Sequence, residues 1–134
     1  MWVLPDPWDW AAEALRERWI RDGTELVAPP LFRSEVTSSI RLWVHRAALS
    51  PNEGRRRLER AFLWPVVIYP DGDDLQRSAF ELATRHSHPR AYDAQYLALA
   101  LLLGCEFWTG DQRLVQSVSD KLSWVKWVGD YQPA

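Results

Sequence analysis

The apolar positions of the chain fall into short stretches whose period switches repeatedly between helical and strand-like. From Trp8 to Asp22, the residues Ala11, Ala12, Leu15 and Trp19 recur at helical spacing and Gly23 follows as a stop, which predicts an amphipathic helix. Glu25-Leu26-Val27-Ala28 is a short apolar run ended by Pro29-Pro30. That pattern predicts a buried strand feeding a helix that starts near Leu31 and turns Val36, Ile40, Trp43, Val44 and Ala47 inward. Ser50-Pro51-Asn52-Glu53 has the form of a capping box with proline at the first helical position, so a third helix is predicted to about Phe62. Its exposed side carries Arg55, Arg56, Arg57 and Arg60.

Pro65 to Pro70 encloses the β-branched run Val66-Val67-Ile68, a second short buried strand by composition. A helix is expected from about Asp73 to Arg85. After the turn Ser87-His88-Pro89, Ala91 to Leu103 is apolar almost all round and closed by Gly104, the pattern of a central buried helix. Cys105 to Thr109 reads as a third strand, Gly110-Asp111 leads into a short helix holding Leu114 and Val118, and Trp124 to Val128 reads as a fourth strand. Short buried strands alternating with helices specify an α/β class with a short parallel sheet covered on both faces.

Composition narrows the setting. The 134 residues suit a single domain, 1–134, and 47% apolar residues with nine tryptophans are enough to build a core, which excludes disorder as the main state. One cysteine, Cys105, read as a small core residue, excludes a disulfide framework and fits a cytoplasmic protein. The first residues lack the basic and long apolar regions of a signal peptide, and the longest apolar run, Leu97 to Cys105, is about half of what a membrane span needs, so no membrane partner is expected. With a net charge of −2, any nucleic acid would be met by a local basic patch.

Ligands of parallel α/β sheets bind beyond the carboxyl ends of the strands, and three acids qualify there. Glu35 lies in the first turns of the helix leaving the first strand, and Asp111 follows the third strand by two residues. Asp93 begins the apolar helix. That helix rises roughly 17 Å to Gly104 at 1.5 Å per residue, and the strand returns roughly 20 Å at 3.3 Å per residue, so Asp93 and Asp111 are expected at one edge. Two carboxylates about 5 Å apart repel by roughly 3 kcal/mol at an effective dielectric of about 20. Either one acid is neutralised by a raised pKa or a cation sits between them, and an all-oxygen site favours Mg²⁺ or Mn²⁺ over zinc. The competing reading is that Asp93 and Asp111 cap helix N-termini.

Ala91-Tyr92-Asp93-Ala94-Gln95-Tyr96-Leu97-Ala98-Leu99-Ala100, Leu103-Gly104 and Thr109-Gly110-Asp111-Gln112-Arg113-Leu114 resemble the C-terminal signature of PIN-domain nucleases, with VapC-like toxins the nearest likeness. Ala28-Pro29-Pro30-Leu31-Phe32-Arg33-Ser34-Glu35-Val36 resembles the family's second acidic motif, and Trp2-Val3-Leu4-Pro5-Asp6 the end of its first helix. The resemblance implies a three-layer α/β/α fold and a Mg²⁺- or Mn²⁺-dependent endoribonuclease. Such an enzyme cleaves single-stranded RNA through a metal-activated water. It also implies Glu35, Asp93 and Asp111 as metal-site acids, Thr109 as their hydroxyl partner, a cognate antitoxin and a homodimer.

The family's first strand and first acid have no counterpart here, because the sequence starts after that point. Two expectations follow: either the natural start lies further upstream and the protein is an active nuclease, or the chain is a truncated, non-catalytic PIN-like binding module. In both cases a missing central strand leaves neighbours about 10 Å apart instead of about 4.8 Å, so the sheet must close up, borrow a strand or be malformed. Asp6 is read as a turn residue beside Pro7, and Trp2, Trp8 and Trp10 as exposed aromatics.

Arg113, Arg33 and Arg90 are the candidates for RNA phosphates, whereas the arginine run of the third helix reads as a solvated face. His86 and His88 read as a polar loop and not as metal ligands. The tryptophans Trp19, Trp43, Trp108, Trp124 and Trp127 are assigned to core packing.

Overall fold

A computed structural model describes residues 9–118 and 120–134; the readings of Trp2, Asp6 and Trp8 lie outside them. The elements follow in the order α1 (Asp9–Asp22), β1 (Leu26–Ala28), α2 (Phe32–His45), α3 (Pro51–Phe62), β2 (Val66–Ile68), α4 (Asp73–Arg85), α5 (Tyr92–Leu103), β3 (Phe107–Thr109), α6 (Gln112–Val118) and β4 (Val125–Trp127). A 3₁₀ turn, Val128–Asp130, follows β4. No helix of the described residues is long and apolar enough to cross a membrane.

Local chemistry accounts for the boundaries. Ser50 Oγ accepts from the Glu53 amide at 3.2 Å while the Ser50 amide donates to Glu53 Oε2 at 2.7 Å, and Pro51 takes the position whose N–H would otherwise be unpaired. Gly104 ends α5 in the left-handed region at φ 64°, where a Cβ would be strained. Gly54 lets α3 approach α2 closely: a Cβ there would stand 2.5 Å from Val44 Cγ2.

The strands pair in parallel, as the alternation of elements predicted, but they form two separate ladders. Leu26, Val27 and Ala28 oppose Val66, Val67 and Ile68; Phe107, Trp108 and Thr109 oppose Val125, Lys126 and Trp127. Among the described residues the sheet therefore does not close up into one four-stranded ladder. The adjacent residues of β3 show the layering, since successive strand side chains point to opposite faces. Phe107 packs on the large core built by Leu75, Leu82, Leu97, Leu114 and Val118 of α4, α5 and α6. Trp108 packs instead on the second core, Ala11, Ala12, Leu15, Val128 and Tyr131, with Trp19 edge-on at 6.5 Å. Val27 of β1 also packs against the large core, so both ladders touch it.

Several expectations are corrected. Helix α2 stops at His45, and Ala47 is exposed with φ 56°; Leu49 takes the buried place assigned to it. The C-terminal end of α5 is not buried all round, because Leu101, Leu102 and Leu103 are exposed while Ala94 and Leu97 to Ala100 are buried. Cys105 is exposed, lying in the turn between α5 and β3 and not in the core. Val67 is exposed, so β2 is covered less fully than a strand with both faces buried. The five tryptophans assigned to the core are all partly buried, and Trp10 is exposed.

Candidate functional site

Three chain segments bring the predicted acids toward one another. The tight turn after β1 starts α2 at Phe32, so Glu35 stands in that helix's first turn. Asp93 stands in the first turn of α5. Asp111 follows β3 directly and precedes α6. Their charges are felt in sequence: Asp93 acts on Glu35, and Asp111 acts on Asp93.

Glu35 is partly buried, and that desolvation is the main reason its carboxyl is raised above the ordinary range. The hydroxyl of Tyr96 opposes the shift by donating to Glu35 Oε2 at 2.6 Å, and the Asp93 charge adds to it. Asp93 lies on an exposed turn, yet its surroundings desolvate the carboxyl enough to raise it, with Asp111 adding repulsion and His88 opposing.

Asp111 has a second task. Its Oδ1 accepts from the Leu114 amide at 3.1 Å, which caps the start of α6. Thr109 Oγ1 in turn accepts from the Asp111 amide at 3.1 Å, fixing the turn between β3 and α6. Asp93 makes no such cap, since Ala91 occupies that position in α5 without a side-chain bond. Of the two acids read as possible caps, one is.

As the side chains stand, no three Asp, Glu, His or Cys residues among those described converge closely enough to hold a metal ion. In chemistry, nonetheless, the donor set fits a hard dication. It is all oxygen, and burial, first, with a smaller addition from neighbouring carboxylate charge, raises the carboxyls of Glu35 and Asp93.

The candidate arginines separate. Arg90 and Arg113 are exposed, in the turn before α5 and near the start of α6. Arg33 lies about 200° around α2 from Glu35 and stacks over the Phe62 ring at 4.6 Å, so it does not join the acids. It lines a shallow groove with Ser34, Thr37, Ser38 and Phe62. His88 pairs with Ser117 at 3.0 Å between its Nε2 and the serine Oγ, tying the α4–α5 turn to α6 beside Asp93.

Sequence reasoning missed Tyr96 as a partner of Glu35 and read His88 only as part of a polar loop, not as a neighbour of Asp93. Tyr96 was detectable from spacing, because it follows Asp93 by three positions and so shares its helix face. His88 had no comparable signal, since its place beside Asp93 depends on how the turn folds back.

Comparison with known proteins identifies the family. The sequence pattern of the PIN domain matches residues 8–119. A VapC ribonuclease of Mycobacterium bovis is 37% identical over 89 residues, covering 66% of this chain and 67% of that protein. The ribonuclease VapC9 of Mycobacterium tuberculosis is similar to the same extent. With a parallel-stranded α/β fold, acids leaving the strand ends and this extent of match, the chain belongs to the PIN-domain family.

Proposed function

We propose that this protein is a divalent-metal-dependent endoribonuclease that cleaves single-stranded RNA at the acidic edge, and that it serves as the toxin of a toxin–antitoxin pair. The observation that carries this reading is the electrostatic chain from Glu35 through Asp93 to Asp111, three carboxylates delivered by α2, α5 and the end of β3. Its mycobacterial relatives are ribonucleases by name, which supports the same reaction. Glu35 and Asp93 would hold Mg²⁺ or Mn²⁺, with Asp111 completing the set. Such an ion, when bound, supplies a water of lowered pKa and positive charge opposite the phosphate.

The chain's own groups do the rest. Thr109 fixes the turn that presents Asp111, and the cap on α6 holds the following helix in register. Arg113 and Arg90, both exposed, are placed in the proposal as phosphate contacts. A cognate antitoxin, a homodimer and a cytoplasmic setting belong to the same reading.

A second reading is favoured by the absence of a three-ligand cluster among the described residues: a PIN-like module that binds RNA or a protein partner without cutting. One experiment separates them. Varied single-stranded RNAs are incubated with the protein in Mg²⁺, in Mn²⁺ and in chelator, beside the Asp93→Asn variant. Cleavage that needs the ion and is lost in the variant supports the nuclease; RNA binding with no cleavage in any condition supports the module.

A further inference from the structure

We infer that Tyr96 is a positioning residue for Glu35, holding Oε2 through its hydroxyl so that Oε1 is the oxygen left for a cation. The inference rests on the reading of Glu35 as a site acid.

Tyr96 is built into the fold for a fixed orientation. Its ring stacks on Phe107 of β3 with centroids 5.6 Å apart and planes 21° from parallel, while its hydroxyl crosses to α2. One side chain therefore joins helix α5, strand β3 and helix α2. Ring packing sets two χ angles and leaves little freedom to the hydroxyl. A phenylalanine would stack equally well on Phe107. The hydroxyl is thus accounted for by Glu35, to which it makes a short, charge-assisted bond.

The bond runs from the tyrosine hydroxyl to the carboxylate, so a donor fixed by the α5–β3 ring packing holds one of the two oxygens of Glu35. Outer partners that orient a ligating group in this way commonly change metal affinity by about 10- to 100-fold when removed.

The test uses the full chain and Mn²⁺ alone, followed by electron paramagnetic resonance of the free ion. Tyr96→Phe keeps the ring and its stack, and its unfolding midpoint is measured alongside. The expected result is a drop in Mn²⁺ affinity of about 10-fold in Tyr96→Phe. In a Glu35→Gln background, the same change should have no further effect, because the carboxylate it positions has gone. Parent-like Mn²⁺ affinity in Tyr96→Phe, with Glu35→Gln still defective, overturns the role of Tyr96 alone. An equal drop in both backgrounds also overturns it, since the effect then does not pass through Glu35. Should Glu35→Gln bind Mn²⁺ as the parent does, Glu35 is not a site acid and the inference falls with that reading.

Discussion

The amide of Asp111 donates to Thr109 Oγ1 at 3.1 Å, so the hydroxyl that ends β3 holds the backbone of the acid that follows it. Thr109 thereby holds the turn that carries Asp111. Replacing it by valine removes the acceptor at nearly constant volume. Thr109→Val should lower stability by about 1 kcal/mol in denaturant unfolding, and Thr109→Ser should stay close to the parent. Equal destabilisation in both variants would remove the hydrogen bond as the cause.

Asp111 combines a cap with a charge, and the two are separable. Asparagine caps as well as aspartate, whereas alanine does not. Asp111→Ala should cost about 1 kcal/mol of stability, and Asp111→Asn no more than about 0.5 kcal/mol. Both should abolish ion-dependent RNA cleavage. An Asp111→Asn protein that cleaves like the parent would reduce this residue to a helix cap.

Much of this arrangement is legible in the sequence, and the exceptions have physical causes. Element order follows from period and punctuation, because Gly23, Pro29, Ser50 and Gly104 each act locally on the backbone. Exposure is different, since it depends on what packs against an element. The run Leu101 to Leu103 looks as apolar as Leu97 to Ala100, yet only the latter is buried against its surroundings. Ala47 fits the helical period but lies past the point where α2 ends. The division into two ladders is a property of strand pairing, which no single segment encodes. Strand-end logic singles out Glu35, Asp93 and Asp111 as candidates, and they lie in the first turns of α2 and α5 and directly after β3. Whether an acid also caps, or which hydroxyl it accepts from, is decided by side-chain geometry, as the Asp111–Leu114 and Tyr96–Glu35 bonds illustrate.

The raised carboxyls of Glu35 and Asp93 predict a pH dependence of stability without metal. In the unfolded chain both titrate near their ordinary values, 4.5 and 3.8, and in the folded chain they titrate higher. Their contribution to stability is therefore fully present below the unfolded values and disappears as pH rises through the folded ones. In chelator, the midpoint of the parent should fall relative to a Glu35→Gln, Asp93→Asn double variant as pH rises across that window. A constant difference between the two proteins would contradict the shifts. Using the difference removes Glu13 and Glu53, whose lowered carboxyls act in the opposite sense.

The arginines should divide as their surroundings do. Arg113→Glu is expected to weaken binding to single-stranded RNA and to flatten the dependence of log K on log salt by about 0.7 for each phosphate that is no longer neutralised. Arg33→Glu, whose guanidinium lies over Phe62, should leave that slope close to the parent's. Fluorescence anisotropy across a salt series reads both. The reverse order would move the RNA path from the acid edge to the groove beside α2.

Glu35, Asp93 and Asp111 are proposed as one site for a hard dication. Its most direct measurement is a Mn²⁺ titration of the parent and of Asp93→Asn, read by electron paramagnetic resonance. Because no three ligands among the described residues converge as the side chains stand, the parent should bind weakly but saturably, with affinity short of the sub-micromolar range, and Asp93→Asn should not bind. Sub-micromolar binding by the parent would contradict a site whose three acids do not converge without the ion, and parent-like binding by Asp93→Asn would contradict the site itself.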